Sequence, residues 1–190
     1  MQASVHSWIA GIWIVVAIYW GFSALHTKPP ASVQSLKSGL AQVALPLAAF
    51  LLMSDRRLGF GPLSWRFLPE SDAGELLGLA LTIAGLAFTV WARIALGRNW
   101  SAIVMIKDEH DLVRRGPYAI VRHPIYSGVL VAFAGAAIAI GEARALVAFA
   151  ILATALAFKI RTEEAFMQQQ FGEQYDEYRR NVKALIPGVF

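Results

Sequence analysis

Two stretches of this chain hold most of the side chains able to do chemistry. The first, "KDEHDLVRRGPYAIVRHPIYSG" (Lys107 to Gly128), alternates polar, basic and aromatic residues through Gly116, Pro117 and Pro124. Its Gly-Pro and His-Pro steps break helix and leave backbone N–H and C=O groups unpaired. Beside an apolar run, such backbone is tolerated only where it is buried in protein or lines a cavity, so the stretch reads as a pocket wall. The second, "KIRTEEAFMQQQFGEQYDEYRRNVKALIPGVF" (Lys159 to Phe190), opens on two cations and the adjacent pair Glu163 and Glu164. Neighbouring residues on a helix do not share a face, so one glutamate can address a pocket while the other meets solvent or a basic partner.

The elements that must position these residues are apolar. Five segments qualify: Trp8 to Leu25, Leu40 to Met53, Leu76 to Leu96, Tyr126 to Ile140 and Ala143 to Phe158. The second carries Pro46, which predicts a start near Val33 and a kink or tilt. The third is interrupted only by Thr82, Thr89 and Arg93, and an arginine at that depth is expected to snorkel or to pair inside the bundle. The fourth and fifth are close to the minimum for crossing a hydrocarbon core of about 30 Å. Only "GEAR" separates them, which predicts an antiparallel hairpin; its small residues, among them Gly128, Ala132, Gly135, Ala145 and Ala148, are expected to let its two helices approach closely. Beyond it, Phe166, Phe171, Tyr175, Tyr178 and Val182 recur at roughly helical spacing, an amphipathic segment that Gly172 can divide.

Composition agrees with a membrane setting. Of 190 residues, 57% are hydrophobic and 16% charged, and mean hydropathy is +0.51, outside the range of an ordinary soluble domain. The expected fold is an all-α integral membrane protein, one polytopic domain over 1–190. It has about five transmembrane helices: two in 1–75 with an outer loop, and a core in 76–190 that ends in the hairpin and a cytoplasmic amphipathic helix. The first apolar run lacks a basic lead and a cleavage site, so it reads as a retained helix. Cysteine is absent, which excludes a disulfide framework, a thiolate nucleophile and a cysteine metal site; no metal is expected. The net charge of +4 sits beside apolar segments, where orientation and anionic lipids explain it better than nucleic acid. With the N-terminus outside, inner loops hold twelve Lys and Arg and outer loops four, so the C-terminus and both chemistry-bearing stretches are expected in the cytoplasm. His6 and His26 read as interfacial.

The pattern "HDLVRRGPYAIVRHPIYSG", followed after the hairpin by "RTEEAFMQQQFGEQYDEYRRNVKALIP", resembles the isoprenylcysteine carboxyl methyltransferase family and its broader relatives, which include phospholipid N-methyltransferases. The resemblance covers about Arg93 to Pro187. It implies a membrane methyltransferase whose cofactor is S-adenosylmethionine, held by His110, Leu112, Val113, Tyr118, His123, Pro124, Tyr126 and Glu163. It implies further that Arg161 or Lys159 lies near the carboxylate of an isoprenylcysteine-like acceptor.

The chemistry is compatible with that cofactor. Tyr118 and Tyr126 can offer ring faces to a sulfonium or adenine. Glu163 can accept from an ammonium, while His123 and open backbone N–H groups can reach a carboxylate. A carboxylate acceptor needs only a cation to align it; an amine or thiol must lose a proton, for which Glu164 or His123 is the candidate base. The acceptor is expected to be lipophilic and to arrive from the bilayer, among membrane lipids. Phospholipid N-methylation and thiol S-methylation remain the alternatives within the class. Arg93, Arg98, Asn99 and Trp100 can help to shape the site. A nicotinamide-dependent sterol or enone reductase is the rival reaction class, but "RHPIY" stands where such reductases carry Arg-His-x-Asn-Tyr. A non-enzymatic scaffold is the third reading.

Overall fold

The computed structural model describes residues 4–25, 36–97 and 112–189, and the side chains from 43 onward in the second of these spans. Within them the chain is helical: α1 Val5–Ala24, α2 Leu36–Ser54, α3 Asp72–Leu96, α4 Pro124–Ile140, α5 Ala143–Phe171 and α6 Glu173–Asn181, with short 3-10 turns at Arg56–Leu58, Gly61–Ser64 and Gly116–Ala119. All five expected apolar segments are helices. Three of them, α1, α3 and α5, are long and apolar enough to cross a membrane, and Val43–Ser54 and Pro124–Ile140 are shorter apolar helices. The protein is an all-α integral membrane protein.

The helix ends follow from local chemistry. Ser71 caps α3 by accepting from Gly74 N, and Asp72 and Glu75 sit in the first turn, where the helix dipole favours negative charge. Pro124 occupies the first turn of α4, where a missing N–H costs nothing. Gly141 closes α4 in the left-handed region at φ 67, and Gly172 at φ 49 divides α5 from α6, as its place in the sequence predicts. Most consequentially, α5 runs unbroken past its apolar portion to Phe171, so Lys159, Arg161, Glu163 and Glu164 are placed by the same 3.6-residue period that orients its membrane face.

The α4–α5 hairpin forms, but the closest helix pairing is α3 with α4, which corrects the expectation that the hairpin's small residues serve its own two helices. Gly78 and Gly85 on α3 meet Gly128 and Gly135 on α4: a Cβ at Gly85 would lie 2.5 Å from Gly128 O and from Ala132 N. The buried hydroxyl of Thr82 donates to Gly78 O (2.8 Å) and across the contact to Ala132 O (3.2 Å); Thr89 donates likewise to Gly85 O (2.9 Å) and Ile125 O (3.3 Å). These residues repeat every seven positions on each helix, so one close approach recurs two turns later and the backbones stay in contact along their length. The small residues of α5 serve a different neighbour, since α5 packs chiefly along α2 with Ala145 and Ala148 fully buried.

The two-residue turn between α4 and α5 is clamped by the preceding loop. Phe67 N donates to Gly141 O and Ala143 N to Trp65 O. Arg144, 3% exposed, pairs with Glu142 at 2.7 Å and donates to the carbonyls of Leu52 and Met53 at the end of α2. Of the three long apolar helices α1 is the least buried, with 6% of its apolar window covered against 33% for α3 and α5. Arg93, 3% exposed, pairs inside the bundle as expected, donating to Ser23 O and Gly97 O.

Gly85→Ala is expected to destabilise the protein by about 1–3 kcal/mol, because its methyl can be accommodated only by separating α3 from α4. Gly11→Ala, where nothing lies within 4 Å, is the matched control. Thermal unfolding in detergent checks both, and equal melting temperatures would exclude the glycine contact as a packing constraint.

Candidate functional site

The site forms where the end of α5 returns to the start of α4. After the 3-10 turn Gly116–Ala119, in which Pro117 and Tyr118 are buried, the chain passes through Arg122 and His123 and enters α4 at Pro124. Tyr126 projects from the first turn of α4 and donates its hydroxyl to Glu163 Oε1. His123 lies between the two glutamates, with Nδ1 3.5 Å from Glu163 Oε2 and Nε2 3.3 Å from Glu164 Oε1. Arg122 donates from Nε (2.9 Å) and Nη2 to the same Glu164 oxygen. Arg179 of α6 is 4.0 Å from the other Glu164 oxygen. The division expected of adjacent glutamates is realised: Glu163 faces the tyrosine and histidine, and Glu164 meets a basic partner.

Sequence reasoning missed the C-terminal strap. Arg122 N donates to Lys183 O (2.8 Å) and His123 N to Ala184 O (3.0 Å); Ser127 Oγ donates to Leu185 O (2.7 Å). Arg122 Nη1 donates to Val182 O, and the Tyr178 hydroxyl to Tyr118 O. The backbone N–H groups expected to stay open at the His-Pro step are therefore occupied by the protein's own C-terminal segment. The available signal was Pro187, which with Val182 and Ile186 disfavours continued helix and makes an extended segment after α6.

Other expected residues fall in different places. Tyr118 and Pro124 are buried, and Leu112 and Val113 are half-buried in the irregular lead to the turn. His110, Arg98, Asn99 and Trp100 lie outside the described residues. Arg161 is exposed, with Cζ 5.9 Å from the Phe158 ring. Lys159 is the cation at the cluster, its Nζ 5.8 Å from the centre of the Tyr126 ring. Among the described residues no group of three or more His, Cys, Asp or Glu could hold a metal ion.

Electrostatics follow from this packing. Burial alone would lower the His123 pKa, but hydrogen bonds and charge from Glu163 and Glu164 outweigh it and raise it above 6.5. Burial, reinforced by the Glu163 carboxylate and Tyr178, pushes the Tyr118 phenol upward. The site thus presents an imidazole whose protonated form the two carboxylates favour, together with aromatic walls and Lys159 at one side. Such a set can hold a ligand with ammonium or sulfonium character on Glu163 and Tyr126.

Comparison with known proteins places this geometry. Residues 77–169 match the isoprenylcysteine carboxyl methyltransferase (ICMT) family. The chain is 36% identical over 115 residues to protein-S-isoprenylcysteine O-methyltransferase B of Arabidopsis thaliana, covering 59% of this chain and 58% of that protein. It is 32% identical over 116 residues to the probable protein-S-isoprenylcysteine O-methyltransferase of Oryza sativa subsp. japonica, covering 60% and 61%. It is also 35% identical over 144 residues to the cobalt-zinc-cadmium resistance protein CzcN of Cupriavidus metallidurans, covering 74% and 60%. The chain thus spans about three-fifths of the length of these relatives. Tyr118, His123, Tyr126, Glu163 and Glu164 all lie within the segment 77–169 that matches this family.

A histidine whose folded pKa is raised stabilises the fold fully below its unfolded value, and that contribution is lost as pH rises through the folded one. Melting temperature is therefore expected to fall as pH is raised above about 6.5, and His123→Gln should flatten that slope. An unchanged slope in the variant would exclude His123 as the titrating group.

Proposed function

We propose that this protein is an S-adenosylmethionine-dependent membrane methyltransferase that transfers a methyl group to a lipophilic acceptor, the carboxylate of an isoprenylated cysteine. The observation that carries the reading is the joining of Glu163 to Tyr126 and His123 at the α4–α5 end, inside the residues matched to the family. Five spans with the N-terminus outside and the site on the cytoplasmic side accord with the distribution of Lys and Arg.

The residues fit the cofactor. Glu163 would accept from its ammonium, Tyr126 and Tyr118 would wall its sulfonium and adenine, and Pro124 would shape the floor. His110, Leu112 and Val113 are assigned to the same site through the family pattern. When bound, the cofactor would supply an electrophilic methyl for in-line attack by the acceptor oxygen, the C–O bond forming as the C–S bond breaks and the neutral thioether leaves. The protein contributes orientation, which can be worth about 7–11 kcal/mol. A cation must align the acceptor carboxylate, and geometry favours Lys159 for that task over the exposed Arg161. Glu164, bound twice by Arg122 through one oxygen, is a poor general base and acts by positioning His123.

The raised pKa of His123 also bears on the acceptor. It leaves less of the imidazole as free base to take a proton from an amine or thiol, which favours an acceptor that is already ionised.

Transfer of labelled methyl from S-adenosylmethionine to a farnesylcysteine with an open carboxylate tests the reading. Glu163→Gln is expected to weaken cofactor binding about tenfold or more, the loss of one charged hydrogen bond. Lys159→Gln should raise the acceptor KM by about tenfold on the same reasoning, with Arg161→Gln near wild type. A folded protein that binds no S-adenosylmethionine would sink the methyltransferase assignment. Cofactor binding with methylation of amine or thiol lipids alone would overturn the acceptor.

A further inference from the structure

At the other end of the bundle, about 20 Å away along α4 by helical rise, α1 leaves a cavity of about 430 Å³ against α2, α4 and the loop before α3. The methyl-transfer reading does not use it. Its floor is apolar, built by Ile9, Trp13, Phe50, Met53, Phe133 and Ala136. The Trp13 ring stands edge-on to Phe50 (5.7 Å) and to Phe133 (5.4 Å), which fixes the floor's shape. Its lining also carries both signs: Arg56, Arg66, Glu70 and Glu75, besides His6 and the Glu142–Arg144 pair.

The mouth is held in place by neighbours that are themselves fixed. Arg66 Nη1 lies 3.1 Å from Glu70 and 3.9 Å from Glu142, its Nε donates to Leu68 O, and Glu142 is bound to the buried Arg144. Glu75 belongs to the first turn of α3, and Ile140, which also lines the cavity, ends α4. The charged rim therefore sits at helix ends, at the depth where a bilayer turns polar, and the apolar floor extends toward its interior. An amphiphile has the same order of chemistry along its length.

The signs of the rim select among amphiphiles. A fatty acid or an anionic headgroup would draw Arg66 from Glu70 and bring no cation in exchange, and a choline offers the carboxylates no N–H donor. A phosphate followed by a primary ammonium answers both halves. We propose that this cavity binds an aminophospholipid of the phosphatidylethanolamine type. Its phosphate rests on Arg56 and Arg66, its ammonium on Glu70 and Glu75, and an acyl chain on the Trp13 floor. The weak packing of α1, 6% buried over its apolar window, provides the lateral entry.

The test uses the purified full chain in detergent with a phosphatidylethanolamine bearing a photoactivatable acyl chain, and maps labelled peptides by mass spectrometry. Label is expected to concentrate on the segments carrying Trp13 and Phe133. Excess unlabelled phosphatidylethanolamine should suppress it, and equal phosphatidylcholine or phosphatidylglycerol should not. Glu75→Gln removes one charged hydrogen bond and should reduce labelling about tenfold. Ala10→Trp, which fills the cavity from α1, should do the same, with the melting temperature of each variant confirming its fold. Label spread evenly over the lipid-facing helices, suppression by all three lipids alike, or full labelling of both folded variants would each overturn the proposal.

Discussion

Two carboxylates on consecutive residues cannot stay ionised at the margin of an apolar bundle unless cations and donors reach both. Glu163 and Glu164 point about 100° apart around α5, and of their partners only His123 reaches both. The protein answers from two directions: Tyr126 and His123 from the start of α4, and Arg122 with Arg179 from the loop and α6. Removing one member of such a partly buried set leaves charge uncompensated, typically a cost of about 3–5 kcal/mol. Satisfying Arg122 in turn fixes the C-terminal segment, because its remaining nitrogen is spent on the carbonyls of Val182 and Arg179. The strap over the site is thus a consequence of the glutamate pair.

That arrangement requires α4 to begin at one particular place, and the glycine contact with α3 supplies it. Gly85 against Gly128 and Gly78 against Gly135 fix both the spacing and the register of the two helices, while Thr82 and Thr89 add hydrogen bonds across the contact without bringing bulk. At the opposite end, the Arg144 clamp sets the point from which α5 departs. With α4's start and α5's origin both held, α5 must overshoot α4 to bring its glutamates level with His123 and Tyr126. Its 29 residues against the 17 of α4 accomplish this.

Much of this was legible in the residues because the signals were local. The Gly172 break, the start of α4 at His-Pro and the two-residue turn between α4 and α5 each follow from backbone chemistry at one position. The partner of the small residues was not local: α4 and α5 are both rich in glycine and alanine, and only the three-dimensional arrangement decides that α4's glycines face α3. The strap was hidden because it is everywhere the strap's backbone carbonyls that accept, from backbone N–H groups and from Ser127 and Arg122, so its own side chains leave no pattern. The choice between Lys159 and Arg161 was within reach. Lys159 and Glu163 are four apart and share a face, whereas Arg161 is two from Glu163 and faces away.

The charge of the site links its architecture to the acceptor it is proposed to take. Glu163 and Glu164 are faced by Arg122 and His123, with Lys159 over the Tyr126 ring and the mostly exposed Arg179 screened by solvent. On the proposed reading, an ionised acceptor carboxylate would meet a cationic methyl donor here, and their charges would cancel in the transfer. The protein would then need only to hold the partners in line. A neutral amine would leave a cation in place of the sulfonium, and Glu164, tied to Arg122, is poorly placed to relieve it. The ion pairs that close the fold are in this way consistent with the carboxylate acceptor proposed above.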